Sequence, residues 1–353
     1  MRRFLLLLLH EFKLFRTSLP IHAVAILEPT VMYFLMTFIL VQPTLSMNVT
    51  WPTTTEGQAL VTAMREVGSP INERAYIDPV LTDLTEPVNV RQVITVETRK
   101  DTPTAIQHFN LIDSNLVKNY RNRLTSAALL LWDASLGDRA VTVVQFPSLP
   151  RDISYNIYFG VAMLPLAVFL AASMLGGMLT AHDFEFNTIL EYRLAPVSAW
   201  LVLAARLLRL ILTALAGAGL MLLSIGLLNG YWPHSAGRIF LIVLPLAVIA
   251  ACLGVSVGLL TRKTLPAFLI ALVTSFFCWI VGDAFKPAAG IGGLYEALSR
   301  FMPNTYTVEW LFPQFYGVEI GSSMHSAIIL CLIAIAMMTL TLLIYQRRVF
   351  KQE

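Results

Sequence analysis

The sequence predicts a membrane α-helical protein: six transmembrane helices with both termini cytoplasmic, an inserted α+β extracytoplasmic domain, and two short re-entrant helices before the last span. Three observations predict it. The 353 residues are 56% hydrophobic and only 13% charged, with a mean hydropathy of +0.68, which is far from the balance of a soluble domain. Five windows, Ile157–Ala181, Leu210–Asn229, Ile239–Thr261, Thr264–Gly282 and Ser326–Tyr345, contain no Asp, Glu, Lys, Arg or His. Each is long enough to cross a hydrocarbon core of about 30 Å as a helix. Charge is also unevenly placed: of 25 basic and 22 acidic residues, ten basic and twelve acidic fall in 43–155.

The chain opens with MRRFLLLLLHEFKLFR. Two arginines before five leucines could be a secretory or twin-arginine signal, but no small-residue cleavage site follows, and His10, Glu11, Lys13 and Arg16 cut the apolar run short. Leu5, Leu8, Phe12 and Phe15 recur at helical spacing, so 1–19 reads as a helix lying in the cytoplasmic interface. Span one, 20–42, is interrupted only by His22 and Glu28 within Ile21–Val41.

Residues 43–155 then read as a small soluble domain. Val88, Val90, Ile94 and Val96 alternate like a half-buried strand. Ile106, Phe109, Ile112, Leu116, Tyr120 and Leu124 recur like the face of one amphipathic helix, and Ala140–Phe146 suits a further strand. Asn48-Val49-Thr50 fits a glycosylation sequon.

Later boundaries fall at span two, 156–181; a short cytoplasmic helix, 182–198; span three, 199–229; span four, 238–261; and span five, 264–283. External half-inserted helices follow over 284–324, then span six, 325–346, and a tail, 347–353. Basic residues set the orientation. Arg2, Arg3, Lys13, Arg16, Arg193, Arg206, Arg209, Arg262, Lys263, Arg347, Arg348 and Lys351 share one side, against Arg238, Lys286 and Arg300 in the short loops of the other. Gly254 and Gly258 form a G-x-x-x-G, and Gly176, Gly177, Ala214, Ala218 and Gly226 offer further small faces for close helix packing.

In 182–198, Asp183 and Glu185 sit where acids suit the positive end of a short helix. Phe186, Ile189, Leu190 and Leu194 form its apolar stripe, Pro196 stops it, and Ser198 can cap the next helix. This island is either a docking knob for a cytoplasmic partner or a solvated loop helix. Outside, seven aromatics between Tyr295 and Tyr316 suit two short helices at headgroup level, about Gly292–Phe301 and Thr305–Trp310, or a plain aromatic anchor.

The chemistry is sparse. There is no phosphate-binding G-x-x-x-x-G-K-[ST] loop, no H-E-x-x-H and no G-x-S-x-G. No metal spacing appears, and Cys252, Cys278 and Cys331 all lie in spans. The spans lack the paired carboxylates and basic residues of ion-coupled carriers. Glu28, before Pro29, either joins a polar site with Arg206 or Arg209 or is a solvated interfacial carboxylate on a proline-bent helix. An enzyme is not expected, and neither is a nucleic-acid partner.

The stretch HDFEFNTILEYRLAPVSAWLVLAARLL, His182–Leu208, resembles the cytoplasmic signature of the type-two ATP-binding-cassette (ABC) exporter permeases, E-x-G-T-x-E-x-L-x-x-x-P-x-S followed by a basic residue and a span. Glu185, Thr188, Glu191, Pro196, Ser198 and Arg206 carry the likeness. Asn187 stands at the glycine, Glu191 falls one place beyond the second acid, and Arg193 and Leu194 lie near the leucine. Leu298–Leu311 is similar to the family's L-x-x-x-x-P-x-x-Y segment, with Pro303 and Tyr306 in place.

The resemblance implies a transporter with two such membrane subunits, identical or paralogous, and two cytoplasmic ATPase subunits that hold ATP and magnesium. No cofactor is then expected on this chain, whose other partner is membrane lipid. It further implies that Asp183, Glu185, Phe186, Asn187, Thr188, Leu190 and Glu191 couple to the ATPase, and that Pro303, Tyr306, Glu309 and Trp310 are external gate candidates. The expected activity is outward movement of an amphipathic or lipid-like molecule across a plasma membrane, best matched by a bacterial inner membrane. A receptor or sensor with a ligand-binding outer domain, or an envelope scaffold, stands as the alternative.

Overall fold

The computed structural model describes residues 2–17, 19–40, 44–68, 75–88, 90–99, 102–110, 114–136, 155–194, 197–284, 293–317 and 323–350. They form two compact units, one of residues 1–38 with 154–353 and the other of residues 39–153.

The first unit is a membrane helix bundle. It contains α1 (Arg2–Thr17), α2 (Leu19–Leu40), α5 (Tyr155–Glu185), α6 (Ile189–Leu194), α7 (Ala199–Asn229), α8 (Ala236–Thr261), α9 (Thr264–Val281), α10 (Gly293–Ser299), α11 (Pro303–Tyr316) and α12 (Ser323–Tyr345). A short π-helical segment, Gln346–Phe350, follows. Six of these helices, α2, α5, α7, α8, α9 and α12, are long and apolar enough to cross a bilayer. A helix that is apolar on every side belongs in the middle of such a bundle. That is the place of α5, whose most apolar stretch is wholly buried and which packs on α7, α8 and α9. By contrast α2 and α12 leave most of their apolar surface uncovered.

Small residues set the closest approach. A Cβ added at Gly254 of α8 would lie 2.2 Å from the Ser173 carbonyl oxygen of α5, and one at Gly258 would lie 2.6 Å from that of Gly177. The backbones of α5 and α8 therefore touch along the G-x-x-x-G face, the arrangement that small residues permit in membranes. Polar pairs join other helices: Ser173 and Ser275 hydroxyls are 2.8 Å apart, and Trp279 donates from Nε1 to the Ala162 carbonyl at 2.7 Å.

The second unit is α+β. Its sheet has the order β2-β1-β3-β4, with β1 Leu45–Thr50, β2 Ile77–Thr82, β3 Gln92–Arg99 and β4 Thr102–Phe109. β1 runs parallel to β2 (Leu45 opposite Ile77) and to β3 (Asn48 opposite Val93), while β3 and β4 are antiparallel from Gln92–Phe109 to Arg99–Thr102. A parallel neighbour needs a crossover, and α3 (Thr55–Glu66) supplies it between β1 and β2, capped by Thr54 Oγ1 accepting from Gly57 N at 3.1 Å. Met47, Val49, Met64, Ile77, Ile94 and Tyr120 build the core, the last from α4 (Ser114–Leu136).

Three expectations change here. The single helix expected from Ile106 to Leu124 is instead strand β4 followed by α4, because Thr104 and Ile106 pair across the ladder with Glu97 and Thr95. The 3–4 spacing that joined the two elements was coincidental. The alternating strand starts at Gln92 rather than Val88, and Gln92 to Thr95 are all buried, so it has no wet face there. Asn48 lies inside β1 and donates from Nδ2 to the Gln92 carbonyl at 3.1 Å, a poor acceptor for a glycan. The strand expected at Ala140–Phe146 lies outside the described residues.

Candidate functional site

Span two does not stop at Ala181. α5 continues helical to Glu185, so Asp183 and Glu185 occupy its last turn and do not begin a separate helix. Asn187 then adopts the left-handed conformation, φ 60°, which ends a helix and which Asn tolerates better than most residues. Thr188 donates from Oγ1 to Asp183 Oδ1 at 3.0 Å and folds the corner back. α6 follows at Ile189, two turns long.

This corner divides the expected coupling residues into two groups. Asp183 is buried, and Ile189 and Tyr192 face inward with it. Phe186, Leu190 and Leu194 are exposed, Leu194 at 86%, and Glu191 is exposed beside them. The anticipated single stripe is thus split, with Ile189 inside and the other three outside. Phe186 rests on the His182 ring, centroids 4.3 Å apart. Glu185 points back at the bundle, its Oε2 accepting from Thr264 N at 2.8 Å and Thr264 Oγ1 at 2.6 Å. It thereby serves the first amide of α9, which has no partner within the helix. On the other flank, Arg193 donates from Nε to the Val349 carbonyl at 2.6 Å, tying α6 to the C-terminal π-helical segment.

Beneath the corner lies a buried ionic cluster. Arg206 and Arg209 of α7 are only 2% and 1% exposed. Glu11 of α1, also buried, reaches both: Oε1 is 3.4 Å from Arg206 Nη2 and Oε2 is 3.0 Å from Arg209 Nη1. Asp183 Oδ2 lies 2.5 Å from Arg206 Nη2, an ion pair without aligned hydrogen-bond geometry. Tyr192 accepts from Arg206 Nη2 at 3.3 Å and donates to Glu11 at 3.4 Å, while Arg209 Nη2 lies 3.1 Å from His22 Nε2. Burial alone would raise the Glu11 carboxyl, but the Arg206 and Arg209 guanidiniums beside it outweigh burial and hold it below the ordinary carboxylate range. Burial pushes the Tyr192 hydroxyl up to about 12, so it stays protonated and able to donate.

The arginines thus belong to a polar site, but Glu28 is not its acid. Glu28 is half-buried on α2 and makes no ion pair or hydrogen bond among the described residues. Sequence reasoning missed Glu11, His22 and Tyr192. The available signal was that Glu11 is the single acid of an otherwise basic amphipathic segment, placed so that burying it requires a cation.

The other candidates sit apart on α11. Pro303 begins this helix, which starts two residues earlier and runs to Tyr316, well past the expected Trp310, because proline suits a first helical position. α10 is confined to Gly293–Ser299. Tyr306 donates to the Arg300 carbonyl at 2.6 Å, closing the turn between α10 and α11. Glu309 accepts from Ser326 Oγ at 2.5 Å, joining α11 to α12, and Trp310 lines an apolar groove with Ile328 and Cys331 of α12. Tyr306 and Glu309 thus tie α11 to its neighbours.

Among the described residues no group of three or more His, Cys, Asp or Glu side chains could hold a metal ion. No protein-family model matches the chain, and no curated protein matches it either.

Proposed function

We propose that the chain is the membrane subunit of an ABC exporter, moving an amphipathic or lipid-like substrate outward with energy from separate ATPase subunits that bind ATP and magnesium. The observation that carries this reading is the two-sided corner at α5 and α6. Its inner side is locked by ion pairs and hydrogen bonds to α1, α7, α9 and the C-terminal segment. Its outer side presents Phe186, Leu190, Leu194 and Glu191 to solvent.

An exposed apolar set on a rigidly anchored short helix suits transmission of force better than it suits a free loop, because movement of the knob must move the helices it is tied to. In this reading both termini and α6 are cytoplasmic, the unit of residues 39–153 lies outside, and a second permease chain completes the pathway. A bacterial inner membrane is the proposed location.

The test is crosslinking in intact membranes followed by mild-detergent purification, comparing the parent with a Phe186→Asp/Leu190→Asp variant. The expected outcome is an ABC ATPase that accompanies the parent and is lost from the variant at unchanged expression and melting temperature. An ATPase retained by the variant removes α6 as the docking element. Absence of any ATPase from the parent overturns the exporter reading in favour of a sensor or scaffold.

A further inference from the structure

The first amides of a helix and its last carbonyls have no partner within it, and two spans meet this need from outside. α9 and α12 are lightly held by their neighbours, burying 33% and 17% of their most apolar stretches against all of α5. α9 starts just after Arg262, whose left-handed backbone ends α8. Lys263 at the N-cap of α9 gives no side-chain cap among the described residues. At its other end, α12 gives way to π-helical geometry at Gln346. Both of these ends are met by side chains from the corner between α5 and α6.

Glu185, in the last turn of α5, accepts from Thr264 N at 2.8 Å and from Thr264 Oγ1 at 2.6 Å, 79 positions away. Arg193 of α6 donates from Nε to the Val349 carbonyl at 2.6 Å, 156 positions away, and from Nη2 to that of Arg348 at 3.4 Å. The signs match the helix dipoles: an acid stands at the positive N-terminal end of α9 and a base at the negative C-terminal end of α12. Phe184 adds a hold on the turn between α8 and α9, with the Arg262 guanidinium 5.4 Å from its ring centroid. The left-handed Asn187 and the bond from Thr188 to Asp183 lie between the two capping residues in the chain. They therefore set the spacing of the caps.

We propose that the corner is a clamp with two oppositely charged jaws: Glu185 closes the start of α9, Arg193 closes the end of α12, and a shift of α6 loosens both span ends together. Two unrelated caps would respond one at a time. A clamp responds as a unit, because its jaws sit on one folded corner. A load on the exposed Phe186, Leu190 or Leu194 is then felt at α9 and α12 at once. The device does not rest on the exporter reading, since both jaws and both spans belong to this chain.

The test is hydrogen–deuterium exchange read by mass spectrometry on the full-length protein in detergent, comparing the parent with Glu185→Ala, Arg193→Gln, Arg193→Lys and Thr188→Val. Loss of one cap should speed exchange at the helix end it serves about fivefold. That effect is expected over 264–267 in Glu185→Ala and over 345–350 in Arg193→Gln. Arg193→Lys keeps the charge at the end of α12, so it should exchange more slowly there than Arg193→Gln. The deciding variant is Thr188→Val, which removes the bond to Asp183 and leaves both jaws in the chain. Both 264–267 and 345–350 should then exchange faster, with the middle of α8 as protected as in the parent. Asn187→Ala, an exposed substitution that penalises the left-handed corner, should give the same pattern and serves where Thr188→Val folds poorly. A response at one span end only, or at neither, in the corner variants overturns the clamp, and so does an Arg193→Lys that exchanges as fast as Arg193→Gln.

Discussion

At the residue scale the decisive group is Glu11, which serves two guanidiniums at once. A buried ion pair adds little net stability compared with an apolar replacement, but removing one member leaves the other uncompensated at a cost of about 3–5 kcal/mol. Glu11→Gln should therefore lower the melting temperature in detergent substantially, whereas Glu28→Gln, which breaks no ion pair, should not. Because the folded carboxyl is held below its unfolded value, its contribution is present above the unfolded pKa of about 4.3 and lost as pH falls through the folded one. The melting-temperature gap between parent and Glu11→Gln should then be constant from pH 7 to about 5 and close on further acidification. A gap that persists unchanged to pH 3 would show that hydrogen bonding, not charge, carries the effect. The sequence offered Glu28 as one possible acid for Arg206 or Arg209, beside a solvated reading of that residue. It did not reveal Glu11, which lies 195 and 198 positions away and which only the return of α1 onto α7 brings there.

At the element scale, composition reveals the six long apolar helices because each must satisfy its backbone internally and carry apolar side chains through the bilayer. Their ends depend on subtler events. The overrun of α5 to Glu185 is decided by the left-handed Asn187 and the bond from Thr188 to Asp183, and β4 is decided by a partner strand, so neither follows from local periodicity. The small-residue face of α8 was legible as a close-packing motif, although not that α5 is the helix it meets, and the contact yields a sharp contrast. Gly254→Val places new atoms against the Ser173 backbone, which cannot move without displacing a fully enclosed helix. The expected cost exceeds the about 1–3 kcal/mol typical of overpacking, read as loss of monodisperse protein in detergent. Gly237→Ala, on the same helix with nothing within 4 Å of the new methyl, should purify and melt like the parent. Equal behaviour of the two variants would mean that α5 and α8 are not in backbone contact.

At the scale of the whole molecule, the charge imbalance of 43–155 was enough to separate the second unit from the bundle, although not to order its strands. Its apolar core and that of the bundle share no residue. Met47, Val49, Met64 and Ile94 are fully enclosed by the unit's own sheet and helices, and no described strand pairs outside the four-stranded sheet. The unit also falls in the ordinary size range of independently folding domains. Residues 39–153 expressed alone should therefore give a soluble protein with a cooperative thermal transition, and amide exchange should be slowest in β1 and β3, the two inner strands of the sheet. The exposed Leu129, Leu130 and Trp132 near the end of α4 define where failure would begin. If the isolated fragment keeps helical circular dichroism but melts without cooperativity and leaves β1 unprotected, its core needs the spans for support. A cooperative melt with protected inner strands would instead show that the spans contribute attachment and not folding, so that ligands of the second unit could be sought on the soluble fragment without the membrane.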